Sequence, residues 1–108
     1  MYRETYFLTF IFMKIFLQKF GTTLTSRQMG KEALSALQPL LAPLGSEERV
    51  EIDFSGVGTF SPSWADEFLI PLFHTYHERL RLHPSDNAAV QTTIKFLEDV
   101  HQVKFLRA

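Results

Sequence analysis

The chain has 108 residues, no cysteine, a formal net charge of -1, and 45% hydrophobic against 21% charged residues. That length and balance describe one ordinary globular domain that buries a modest core without cross-links. They exclude disulfide, thiolate and Cys-ligated metal chemistry, and leave no basic excess to attract nucleic acid or a membrane surface. Met1–Glu4 lacks the basic region and small-residue cleavage site of a signal peptide. The apolar run from Tyr6 to Phe20 is broken by Lys14, Gln18 and Lys19 and is too short to span a bilayer. A cytoplasmic protein is expected.

In chain order, Phe7 to Phe20 is rich in Phe, Ile, Leu and Thr, a β-favouring mixture. The run exceeds a typical strand, so it is either one long strand or two joined near Phe12-Met13-Lys14. Residues 1–12 read either as an extension upstream of a domain covering 13–108, starting at Met13, or as an extra edge strand. Gly21-Thr22-Thr23 breaks the pattern. Thr25-Ser26-Arg27-Gln28 has capping-box spacing, and Met29, Ala33, Leu34, Leu37 and Leu41 follow a helical stripe that Pro39 and Pro43 stop or kink.

Val50, Ile52 and Phe54 alternate with Glu51 and Asp53, which predicts a strand with one buried and one polar face. The loop that follows carries Gly56 and Gly58, then Ser61-Pro62-Ser63. Ala65, Phe68, Leu69, Leu72, Phe73 and Tyr76 form a second helical stripe, with a kink expected at Pro71. Leu80-Arg81-Leu82-His83 reads as a short strand. Ser85-Asp86-Asn87 caps a third helix that buries Val90, Ile94, Leu97 and Val100, and Val103–Leu106 reads as a last edge strand. This alternation predicts a single α/β domain with a mainly parallel central sheet and helices packed mostly on one face.

Three segments resemble the STAS-like domains, the fold of bacterial anti-sigma factor antagonists, and more closely a small STAS-like family of uncharacterised function. They are Leu24-Thr25-Ser26-Arg27, the run from Val50 to Val57 followed by Phe60 to Phe68, and Leu80-Arg81-Leu82-His83 leading into the helix from Asn87. In the antagonists a strand ends in an acidic residue, two serines and a glycine, and a partner kinase phosphorylates the second serine. Laid along this chain, that serine falls on Ser63, the acidic position on Ser61, the first serine on Pro62 and the glycine on Trp64. The resemblance implies a non-catalytic regulatory module whose partner is a kinase-type ATPase or an anti-sigma-like protein. Ser63 and Ser61 are then the phosphoacceptor candidates.

The residues themselves define the candidate site. Ser63 with Asp66 has the Ser-x-x-Asp spacing of a helix cap, which places Ser63 at the N-cap of the second helix. A hydroxyl there is favoured by the helix dipole, and a phosphate would add close to two negative charges. Asp66 and Glu67 are adjacent and so diverge by about 100° on a helix, which suits first-turn acids rather than a catalytic pair. Arg27 is an intramolecular mate for them, and Ser26 and Arg27 join the candidate contact surface at the start of the first helix. Asp53 is expected as a solvated residue near the strand end, where ligands of open α/β sheets gather. Trp64 is expected to be partly buried, as a lid or an interface anchor.

Gly56 and Gly58 permit a turn but do not complete a phosphate-binding loop. His74, His77, His83 and His101 have no carboxylate at matching spacing, so no metal and no cofactor is expected. Nothing around Ser63 forms a nucleophile elbow, which disfavours a hydrolase. The alternative reading is a small-ligand or nucleotide sensor using the strand ends. Tyr6 to Phe12 offers an aromatic edge for homodimerisation.

Overall fold

The structure, a computed structural model, describes residues 12–108. Alternation along the strands decides the architecture. In β1 (Phe12–Phe16) Ile15 is buried while Phe12, Lys14 and Phe16 are exposed. β3 (Arg49–Asp53) buries Val50 and Ile52, and β5 (Leu80–Leu82) buries Leu80 and Leu82. With β6 (Leu106–Arg107) these strands form a four-stranded sheet of order β1-β3-β5-β6, parallel throughout. The spatial order never departs from chain order. Right-handed crossovers between successive parallel strands therefore deliver the three described helices to the same face, which is why β1, β3 and β5 bury their apolar residues mainly on one side.

A second parallel ladder, β2 (Thr23–Leu24) on β4 (Thr59–Phe60), stands in front of two helices. These are α1 (Arg27–Leu41) and α2 (Pro62–Tyr76). The third helix, α3 (Ala88–His101), is capped by the Asn87 side chain, which accepts from the N–H groups of Ala89 and Val90. The core between helices and sheet holds Leu37, Ile52, Leu82 and Leu97 around a ring cluster. Trp64 stacks on Phe68 at 4.8 Å between centroids, with Phe20 and Phe60 tilted against it.

Several local expectations change. Among the described residues β1 runs unbroken from Phe12 to Phe16, with Met13 and Ile15 facing the core, and Leu17–Phe20 is a 3-10 turn rather than strand. That turn ends at Gly21, whose φ of 127° glycine adopts readily, and redirects the chain to β2. Residues 7–11 of the expected strand lie outside the described residues. Ser26, not Thr25, caps α1, accepting from Met29 N at 3.0 Å. Helix α1 passes through Pro39 to Leu41, and α2 passes through Pro71. Met29 and Val100 are exposed, since the buried stripes run through Gly30-Ala33-Leu37-Leu41 and Val90-Ile94-Leu97. The last strand is Leu106–Arg107, because Phe105 turns into the core.

Candidate interaction surface

The loop from Asp53 to Pro62 is pinned on two sides. Gly58 N and Thr59 N both donate to Thr22 O, at 2.8 and 3.0 Å, and Ser61 N donates to Leu24 O at 2.9 Å. From the other side, Asn87 Nδ2 donates to Val57 O and Gly58 O, and the buried Thr93 hydroxyl donates to Phe60 O at 2.7 Å. Gly56 sits in the left-handed region at φ 82°, directly beneath the Gln18 side chain. The starts of α1 and α2 are thereby held side by side.

Asp53 is a correction. It is only 9% exposed, not a solvated strand residue, because Lys14 on the neighbouring strand reaches it at 3.3 Å and Ser55 N donates to it at 2.8 Å. Hydrogen bonding from Ser55, with Lys14 adding to it, holds this carboxyl below its ordinary range against the effect of burial.

The cap of α2 is a second correction. Ser61, not Ser63, is the N-cap: its Oγ accepts from Trp64 N at 3.4 Å and donates to Thr25 O at 2.8 Å. Pro62 is the first helical residue, where a missing N–H costs nothing. Ser63 is then already inside the first turn, partly exposed, and its hydroxyl makes no hydrogen bond among the described residues. Trp64 is a third correction. At 1% exposure it is a core residue and offers nothing to a partner.

Arg27 does meet Asp66 and Glu67. A single nitrogen, Nη1, lies 3.0 Å from Asp66 Oδ2 and 2.6 Å from Glu67 Oε2. His101, from the last turn of α3, brings Nε2 within 2.6 Å of Asp66 Oδ1. Burial would raise the Asp66 carboxyl, but hydrogen bonds and charge from Arg27 and His101 leave it below the ordinary range. Glu67 first and Asp66 second raise the Arg27 guanidinium. The ends of three helices thus share one charge network.

Sequence reasoning missed Gly30 and His101. Gly30 is where α1 touches α2: an added Cβ would lie 2.5 Å from Trp64 O. A glycine inside the first turns of a helical stripe was the available signal, since it costs about 1 kcal/mol against alanine and is kept for close approach. Nothing local marked His101. Among the described residues no His, Cys, Asp or Glu cluster is arranged for a metal ion, and no helix is long and apolar enough to cross a membrane.

A parallel sheet in chain order, covered on one face, with serine-capped helix starts beside the β3–α2 loop, defines a STAS-like domain. The family model for the STAS-like domain of unknown function (DUF4325) matches residues 37–98, more than half of the chain, and the chain belongs to that family. The matched span holds Ser61 through Glu67, while Arg27 and His101 lie outside it. No curated protein and no solved structure matches the chain.

Proposed function

We propose that the chain is a non-catalytic regulatory module that binds a protein partner through Thr59–Phe68 and the start of α1, with Ser63 as its switch. One observation carries the reading. Ser61 performs the capping and bridging work, and the half-buried Ser63 hydroxyl makes no hydrogen bond among the described residues. Ser63 precedes Asp66 and Glu67 by three and four residues, so all three share the face of α2 that holds Arg27. A phosphoryl group there adds close to two negative charges beside two carboxylates and competes for Arg27, which disfavours binding by desolvation cost and like-charge repulsion. By the family resemblance, the partner is a kinase-type ATPase or an anti-sigma-like protein.

The test is affinity capture with wild-type, Ser63→Ala and Ser63→Asp baits, read by mass spectrometry, followed by incubation of the captured ATPase with the chain and ATP. Retention by wild type and Ser63→Ala, loss with Ser63→Asp, and phosphate on Ser63 are expected. Equal capture by all three baits would end the switch.

A ligand-sensing reading rests on an open cleft of about 600 Å³ at the ends of β3 and β5, lined by Ser55, Gly56, Pro84, Ser85 and Asn87 among others. It is the weaker reading, because crevices of open sheets form where strand order reverses, and the described strands show no reversal. A thermal-shift screen with ATP and GTP checks it, and a flat response removes it.

A further inference from the structure

Strand β1 is an edge of the sheet: among the described residues only β3 pairs with it. Exposed edges invite pairing with another chain, and proteins commonly protect them with a lysine. Here the protective charge is neutralised. Lys14 is held 3.3 Å from Asp53 and lies over the Phe16 ring at 5.2 Å. On either side of it, Phe12 and Phe16 are each 48% exposed, on the face that no helix among the described residues covers.

We propose that β1 is the seat of a second copy of this chain, the two strands pairing antiparallel about a two-fold axis at Lys14. The strand is self-complementary in that register. Phe12 lies opposite the partner's Phe16, and Met13 opposite the partner's Ile15. Directly opposed residues point to the same face, so the aromatic pairs stay on the uncovered side and the Met–Ile pairs extend the core. A one-residue slip would set the core-facing Met13 against an outward lysine, which burial forbids. The two Lys14 side chains face one another, each already held by its own Asp53. The axis stands perpendicular to the sheet, so both copies keep their helices on one side and share one continuous sheet. This interface uses none of the residues from Ser61 to Glu67 and is independent of the partner reading.

The absence of cysteine from the chain makes the test clean. Sedimentation of the full chain at high micromolar concentration should show a dimer, and Phe16→Lys, folded by circular dichroism, should sediment as a monomer. Lys14→Cys should form a disulfide-linked dimer on mild oxidation, since directly opposed residues of an antiparallel pair come within disulfide reach. Gln91→Cys, an exposed control on α3, should not. A monomeric wild type overturns the proposal, as does a dimer that Lys14→Cys fails to cross-link or that Gln91→Cys cross-links equally well.

Discussion

Ser61 and Ser63 are two residues apart and flank one proline, yet their chemistry differs. Ser61 Oγ accepts from Trp64 N and donates to Thr25 O, so Ser61→Ala removes a cap and a tie between the starts of α1 and α2. A loss of about 1 kcal/mol in urea denaturation is expected. Ser63→Ala breaks no hydrogen bond among the described residues and should leave the midpoint within about 0.5 kcal/mol of wild type. Gly30 faces the opposite constraint. A methyl group there meets the backbone oxygen of Trp64, which cannot swing aside, so Gly30→Ala should destabilise by roughly 1–3 kcal/mol despite its better helix propensity. A raised melting temperature for Gly30→Ala would mean the two helices can separate at little cost.

Among elements, the charge network joins α1, α2 and α3. Its pH dependence follows from Asp66, whose carboxyl is depressed below the ordinary value of 3.8 in the fold. A depressed carboxyl contributes stability that is present above its unfolded value and is lost as pH falls through the folded one. Asp53 has the same sign. The urea midpoint should therefore fall with pH below about 4. Asp66→Asn should lower the neutral-pH midpoint while flattening that acid limb. Arg27 is exposed, so salt should screen its share of the effect. An unchanged acid limb in Asp66→Asn would show that the network contributes nothing to folding.

For the whole molecule, one core links the sheet to all three helices, and Trp64 sits inside it with Phe20, Phe60 and Phe68. The sole tryptophan therefore reports on the entire domain. Unfolding followed by Trp64 fluorescence and by far-ultraviolet circular dichroism should give coincident single transitions. Separate transitions would mean that α1 and α2 open before the sheet does. The sheet order carries a functional consequence at the same scale. Chain-order strands put the three described helices on one face and leave Phe12, Phe16 and the Lys14–Asp53 pair on the other.

Much of the fold was legible because its signals are local. Alternation at Val50-Glu51-Ile52-Asp53 marks a strand with one apolar face, and the i, i+3, i+4 spacing of Ala65, Phe68, Leu69 and Leu72 marks a buried helix stripe. Asn87 before an apolar run marks a cap. These patterns depend on neighbours within a turn or a pleat, and the sequence by itself determined them, along with the parallel α/β class. What only the tertiary structure decided lies at long separation. Asp66 meets His101 across 35 residues, a distance over which no periodicity speaks, whereas its pairing with Arg27 across 39 residues was expected from charge alone and needed the structure to bring the two together. The choice between Ser61 and Ser63 is of this kind too. Both had a serine's capping chemistry, but α2 begins where β4 ends, and β4 ends where Ser61 N binds Leu24 O. A contact with a distant strand set the helix start, and so left the half-buried Ser63 hydroxyl without a hydrogen bond among the described residues.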